Sequence, residues 1–407
     1  MILVEKHKII PNHSFYDECN SLCFRSKNLY NQGLYNVRQH FFKTEKYLSY
    51  ANNYHIASKQ ESYKELPAKV SNQTLKLIDK NFKSFFSLLK DKTQKARIPR
   101  YLHKEDGRFI TRFEKQALGK REFKKSGSIK LSKTNIFVKT QIKDFDSIKE
   151  VRIVPRKGFY VIEVVYERKE NKQVGGTLIA SIDPGLNNLA TVAFNNKEAD
   201  SFIINGKPLK SINQFYNKKK AFLQSILEKE LSKKASKRLS KLTNKRNEKI
   251  NDYMHKASRI LVNQLSKSQT NKLIIGKNVG QKQDSNMGKK NNQNFISIPL
   301  FKFLNMVAYK ASLEGIEVIW QEESYTSKAS FLSGDYIPTY GEEKKDKEKC
   351  EFSGYRTSRG LYKIRGEKKY INADLNGALN ILKKAVPNAF ADGIEGIAVC
   401  PKSILSA

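Results

Sequence analysis

The chain has 407 residues, and its 76 lysines and arginines against 40 aspartates and glutamates leave a net charge of +36. That excludes an acidic solvating segment and an ordinary neutral metabolic enzyme. The excess runs along the whole length, so the folded body is expected to track a polyanion, most economically a nucleic-acid backbone. At 39% hydrophobic and 11% aromatic residues the chain is too apolar for a disordered basic tail, and it is long enough for two or three domains. No apolar run approaches the roughly 18 to 20 residues that cross a bilayer. The opening Met1-Ile2-Leu3-Val4-Glu5-Lys6 lacks the apolar core of a secretion signal, so cytoplasmic residence without a membrane partner is expected. Cys19, Cys23, Cys350 and Cys400 are too few and too scattered for a disulfide framework, and no Cys-x-x-Cys pair exists to build a zinc ribbon.

In chain order, residues 1–10 read as a strand and Asn12 to Lys92 as helical, with Ile78, Phe82, Phe85, Phe86 and Leu89 at steps of three and four and lysines on the other face. Ala96-Arg97-Ile98-Pro99-Arg100-Tyr101 breaks the helix. From Phe109 to Glu167 short β-type runs follow, among them Ser128–Leu131, Asn135–Val138 and Tyr160–Tyr166. The pattern predicts a small β-barrel with a helical domain inserted after its first strand. Past Glu170 an alternating region begins: strands Thr177–Ile182, Leu189–Phe194 and Ser201–Ile204 joined by tight turns as a meander, then a long basic helical stretch from Phe215 to Lys267. Strand Lys272–Ile275, a helix at Leu300–Leu313 and strand Ile316–Trp320 complete the order of an RNase H-like fold. The basic faces nominate Lys76, Lys83, Lys218, Lys219, Lys237, Arg238, Lys245 and Arg246 for nucleic acid.

Against this background the acids on element ends stand out. Asp183 ends the first meander strand before Pro184-Gly185, Glu322 and Glu323 end the strand after Gly315, and Asp374 opens the last helix. Singly, each has an ordinary reading as a turn former, a solvated strand end or a helix cap. Jointly, three acids at one end of such a sheet suit two-metal phosphodiester hydrolysis with magnesium. Nucleophile chemistry has little support: there is no G-x-S-x-G elbow, and the six histidines lie in no ligand-spaced cluster. Gly276-Lys277-Asn278-Val279-Gly280 lacks the Lys-Ser/Thr ending of a Walker loop.

Asp183-Pro184-Gly185, the block Glu322-Glu323-Ser324-Tyr325-Thr326-Ser327-Lys328-Ala329-Ser330, Phe352-Ser353-Gly354 and Asn372-Ala373-Asp374-Leu375-Asn376-Gly377-Ala378 resemble TnpB, the transposon-encoded RNA-guided nucleases related to type V CRISPR effectors. Leu66-Pro67-Ala68-Lys69-Val70, Ile98-Pro99-Arg100-Tyr101 and Gly393-Ile394-Glu395-Gly396 match as well, so the resemblance covers nearly the whole chain. It implies an α+β multidomain protein: a wedge-type β-barrel at 1–10 and 105–170, a helical recognition domain at 11–104, a RuvC nuclease domain at 171–323 and 371–390, a target-nucleic-acid-binding insertion at 324–370 and a tail at 391–407. The implied activity is magnesium-dependent cleavage of double-stranded DNA beside a short target-adjacent motif. A guide RNA from the transposon end would direct it, and Asp183, Glu322 or Glu323, and Asp374 would hold two Mg²⁺ ions.

The chain departs from the family twice. The usual second catalytic Glu is missing at Ile274-Ile275-Gly276-Lys277-Asn278; one subset of the family has Gly-Lys-Asn there and a Glu on the next strand, which Glu322-Glu323 fit. Adjacent strand residues face opposite ways, so at most one enters the site unless the strand has ended, and Glu323 is preferred. Second, Cys350 stands alone where most relatives carry four zinc-binding cysteines, so no zinc is expected. Tyr325, Phe331, Phe352, Tyr355 and Tyr362 are expected to hold the insertion, with Arg356, Arg359 and Lys363 facing nucleic acid. The alternatives are a nuclease-inactive RNA-guided repressor, which loss of the usual Glu would suit, and a DNA-strand transferase.

Overall fold

A computed structural model describes residues 1–91, 95–231, 235–278, 292–293, 296–339, 351–358, 360–391, 393–394, 396–397 and 399–404. It divides into two compact units, Met1–Arg168 and Lys169–Ala407. Among the described residues no helix is long and apolar enough to cross a membrane.

In the first unit, β1 (Ile2–Ile9) is followed by helices α1 (Tyr16–Thr44), α2 (Tyr50–Ala57), α3 (Glu61–Lys64) and α4 (Ala68–Lys90). Then come β2 (Thr111–Glu114), β3 (Leu118–Gly119), α5 (Lys120–Ser126), β4 (Ser128–Leu131), β5 (Phe137–Lys139), β6 (Ile148–Arg156) and β7 (Phe159–Glu167). The apolar stripe of α4 buries Val70, Leu75, Ile78 and Phe82 against α1, where Gly33 permits close approach: a Cβ there would lie 2.8 Å from both Ile78 Cδ1 and Leu75 Cδ2. The expected stripe holds through Phe82 and fades toward Leu89, which is 53% exposed. The strands pair as two antiparallel sheets, β1-β7-β6-β2 and β3-β4-β5, and no pairing among the described strands closes either into a barrel. Short apolar runs announce strands without saying which edges meet, so the sequence could not distinguish two sheets from one closed one.

The second unit carries β8 (Ile179–Asp183), β9 (Asn188–Phe194), β10 (Phe202–Asn205), α6 (Lys207–Leu231), α7 (Lys237–Lys267), β11 (Lys272–Lys277), α8 (Leu300–Leu313) and β12 (Glu317–Glu322). A small sheet of β13 (Gly354–Ser358), β14 (Leu361–Ile364) and β15 (Tyr370–Asn372) leads into α9 (Ala373–Ala385), and β16 (Lys402–Ile404) ends the unit. The large sheet runs β12-β11-β8-β9-β10-β16. The meander β8-β9-β10 is antiparallel as expected, β11 and β12 add in parallel on one side, and β16 adds in parallel to β10 on the other.

The two-residue period of the strands sorts side chains between the faces of this sheet. Ala180 and Ile182 join a core with Met254, Leu261, Phe303 and Val307 of α7 and α8. Ile274 meets Ile381 and Leu382 of α9 on the opposite face. Ser181 also turns to α9, donating to the Ala378 carbonyl at 2.6 Å, and that parity carries Asp183 to the same face. Lys277, of opposite parity to Gly276, instead lies 5.5 Å and 5.9 Å from the Phe301 and Trp320 ring centres.

Candidate active site

The ends of β8 and β12 and the first turn of α9 frame an open cavity of about 470 Å³, lined among others by Asp183, Glu323, Asp374, Arg356, Asn188 and Tyr325. Two glycines make room for the acids. At Gly377 on α9, a Cβ would stand 2.5 Å from Asp183 Oδ2, so only glycine lets that carboxyl lie on the helix. At Gly276 on β11, a Cβ would stand 2.8 Å from Glu323 Oε2, 2.8 Å from Ile381 Cδ1 and 3.1 Å from the Ile182 carbonyl oxygen. The side chain missing at Gly276 is therefore replaced in space by the carboxylate of Glu323.

Asp183 keeps some exposure along the cavity wall, yet its carboxyl is closely surrounded by protein. Desolvation first, then the charges of Glu323 and Asp374, push its pKa well above the usual carboxylate range, and Arg356 opposes them. Burial, with Glu322 adding, lifts Glu323 to about 7. Its Oε2 is buried with no hydrogen-bond partner among the described residues. Asp374 is not the helix cap: Asn372 is, its Oδ1 accepting from the backbone N–H of Asp374 and Leu375 at 3.1 and 3.0 Å. That frees the Asp374 carboxylate to accept from Asn188 Nδ2 and from Arg356 Nη2, both at 2.7 Å.

Glu322 requires a correction. Strand β12 ends at this residue, and its carboxylate pairs with Lys384 Nζ at 2.6 Å and accepts from the Ser324 N–H at 2.8 Å; it does not line the cavity. Burial alone would raise its pKa, but the Lys384 and Ser324 hydrogen bonds and the lysine charge outweigh that and hold it below the usual value. Lys384, 8% exposed, also donates to the carbonyls of Ser324 and Pro338. It belongs to a stripe on α9 that grips the chain beyond β12. Asn380 donates to the Thr326 and Ala329 carbonyls, while Asn376 donates to the Ala329 carbonyl and accepts from the Phe331 N–H. Residues 376, 380 and 384 share a helix face at steps of four. This grip fixes the turn that aims Glu323, in which Tyr325 adopts φ 64°. Sequence reading missed the role of this stripe, although three polar residues at helical spacing on the otherwise buried α9 were its signal.

The remaining candidates divide. Arg356 meets Asp374 instead of facing away from the acids. Arg246 is a structural residue: its guanidinium donates to Asn213 Oδ1 at 2.8 and 2.6 Å, to Asn247 Oδ1 and to the Ser297 carbonyl. Lys76 stands 3.9 Å from Glu114, and Lys83 pairs with Asp79 at 2.8 Å. Lys218, Lys219, Lys237, Arg238 and Lys245 have no carboxylate within ion-pair distance among the described residues. Arg359 and Cys350 lie outside the described residues. In the insertion, Phe331 and Tyr362 are buried and Tyr325 stacks on Phe352 at 6.4 Å, whereas Tyr355 is 45% exposed and contributes little to holding it. Asp335 accepts from the backbone N–H of both Ser330 and Ser353, tying together two chain segments 23 residues apart in number.

The donor set, hard carboxylates with one orphaned oxygen and glycine-made space, suits a hard divalent cation. As placed, no three described His, Cys, Asp or Glu side chains are gathered closely enough to hold a metal ion, and Arg356 is the cation that Asp374 meets.

Comparison with known proteins finds relatives of two segments of the chain and of its fold. Residues 162–282 match the family OrfB_IS605, described as "Probable transposase", and residues 301–381 match the Cas12f1-like TNB domain. A CRISPR-associated endodeoxyribonuclease, Cas12f2 of Micrarchaeota archaeon (strain CG1_02_47_40), is 30% identical over 243 residues, 56% of this chain and 41% of that protein. The chain thus matches less than half the length of this relative. The Cas12f1 chain of a cryo-EM Cas12f1-sgRNA-target DNA complex shares the fold, with TM-score 0.53 at 18% identity over 90% of this chain and 82% of that one. Two segments of the chain thus resemble these two family models, and the chain is similar in fold to a type V effector.

Proposed function

We propose that the protein is an RNA-guided DNA endonuclease that hydrolyses phosphodiester bonds with Asp183, Glu323 and Asp374. The observation that carries the reading is the fit of Glu323 to Gly276: the acid absent from β11 is supplied from the end of β12, into space only glycine leaves. Those three carboxylates would hold two magnesium ions, which supply an activated water and neutralise charge on the phosphate. The protein's own part is to keep the acids undercompensated, with Gly377 and Gly276 admitting two of them and Asn188 orienting the third. Asn376, Asn380 and Lys384 fix the turn that carries Glu323.

A guide RNA from the transposon end and double-stranded DNA are the expected partners, with cleavage beside a short target-adjacent motif. The insertion 324–370 is assigned to target nucleic acid without zinc. The wedge role goes to 1–10 and 105–170, built on two antiparallel sheets, and the recognition role to the helices between. A binding-only repressor draws on the Arg356–Asp374 pair, which occupies an acid of the site; retention of all three acids favours the nuclease. The test is cleavage of a plasmid library by protein co-purified with its native RNA. Cutting with magnesium that Asp183→Ala abolishes is expected. Undiminished cutting by Asp183→Ala overturns the assignment, and guide-dependent binding without any cutting establishes the repressor.

A further inference from the structure

Helix α6 presents Phe215 and Phe222 to solvent, 61% and 59% exposed. The heptad spacing of these residues sets them on one face, about 10 Å apart along the axis. Lys218 and Lys219 fall between them on that face. At these two positions α7 leaves apolar surface of α6 uncovered.

Beside Phe215, α6 and α7 enclose a groove of about 300 Å³ whose walls include Ile212, Tyr216, Leu242, Lys245 and Lys249. Its walls are braced. The Tyr216 and Thr243 hydroxyls are 3.2 Å apart, and Arg246, pinned by Asn213 and Ser297, lies 5.6 Å from the Tyr216 ring centre. Lys245 and Lys249, one turn apart on α7, have no carboxylate in ion-pair range among the described residues. An exposed aromatic platform at a braced apolar groove, with unpaired ammonium groups on both helices, matches a base and its flanking phosphates. The π-face of a base stacks on an aromatic ring, and lysines take the backbone. A duplex hides those faces, so the ligand is an unpaired nucleotide.

We propose that the α6–α7 groove is a stacking site for an unpaired base of single-stranded nucleic acid, with Phe215 as platform and Lys245 and Lys249 on the adjoining phosphates. The proposal deepens the nucleic-acid reading above and rests on it. The test uses the full chain without guide RNA and a single-stranded oligonucleotide carrying 5-iodouracil. Ultraviolet cross-linking and peptide mass mapping should mark the segment holding Phe215 and Tyr216, and Phe215→Ala should remove that mark while leaving others. Because Phe215 is exposed, the variant keeps its fold, and it should bind the oligonucleotide about 10-fold more weakly with an unchanged salt slope. Lys245→Ala with Lys249→Ala should flatten the salt slope instead. Marks that avoid this segment, or a Phe215→Ala variant with wild-type affinity, overturn the stacking site while leaving the nuclease reading intact. Equal affinity for an abasic strand of the same length reduces the surface to a polyanion contact, and no binding to any nucleic acid sinks both readings.

Discussion

Two carboxylate clusters, one in each unit, meet opposite fates. In the first unit Glu150 and Glu163, on β6 and β7, are 7% and 8% exposed. Glu150 is fully covered: Arg112 donates to Oε2 at 2.9 and 2.6 Å, and Arg152 Nε donates to Oε1 at 2.7 Å. Lys6 and Arg152 stand 3.8 and 4.0 Å from Glu163. In the second unit Asp183, Glu323 and Asp374 share a cavity wall with one arginine, bonded to one of them, and an oxygen of Glu323 has no partner among the described residues. In a chain of net charge +36 a shortage of cations around acids is not a matter of supply. The first cluster is a buried ion network closed by its own arginines and lysine, whereas the second is left undercompensated, which on the function proposed above suits a cation supplied from outside.

The largest effect expected from this contrast is on Glu323. Glu323→Gln should lower the cleavage rate about 1,000-fold, the several kcal/mol that metal-assisted charge stabilisation supplies. Glu322→Gln should lower it less than about 10-fold, since that side chain lies outside the cavity and acts on Glu323 only indirectly, through its charge and its bonds to Lys384 and the Ser324 N–H; equal losses in the two variants would erase the distinction drawn between neighbouring acids. Next is Gly276→Ala. Its new Cβ would overlap Glu323 Oε2 and press on Ile381, so Glu323 must move, and a displacement of about 1 Å costs on the order of 100-fold in rate. A fully active Gly276→Ala enzyme would mean that Glu323 is not the acid that acts.

These variants also show where sequence reading stopped. The meander, the helix Leu300–Leu313 and the strand-end positions of the acids were legible, because apolar runs and isolated charges are local signals. Which glutamate enters the cavity was not, since the choice depends on an absent side chain at Gly276 and on Lys384, 62 residues beyond Glu322. The intramolecular partners of Arg246 and Arg356 were hidden for a related reason. In a lysine-rich setting every cation resembles a phosphate ligand, and only the fold reveals that Asn213 and Asp374 have claimed these two. The three-residue β16 is too short to carry a period and becomes a strand only by pairing with β10.

The covered cluster gives the next effect, on stability alone. Glu150→Gln would leave Arg112 and Arg152 without their shared carboxylate; both retain some solvent exposure, at 26% and 32%, which tempers the penalty. A loss of about 2–3 kcal/mol in urea unfolding is expected, and no loss would show that the cluster is as dispensable as a surface pair.

The smallest effect has the opposite sign. Burial and Glu322 hold Glu323 near 7 in the folded protein, above the 4.5 of a free glutamate. Between those values the folded state retains a proton that the unfolded chain has lost, so ionising Glu323 as pH rises through this window takes stability away. Glu323→Gln removes the penalty. In the presence of a chelator it should match the wild type near pH 4 and exceed it by about 1–2 kcal/mol at pH 8, a figure reduced for the partial exposure of the group. Thermal unfolding across that range reads the difference, and added magnesium should shrink it, because a bound cation compensates the charge that the folded protein leaves open. Glutamine substitution thus destabilises at position 150 and stabilises at position 323. If both lowered stability equally at pH 8, the acids of the second unit would be as fully compensated as those of the first.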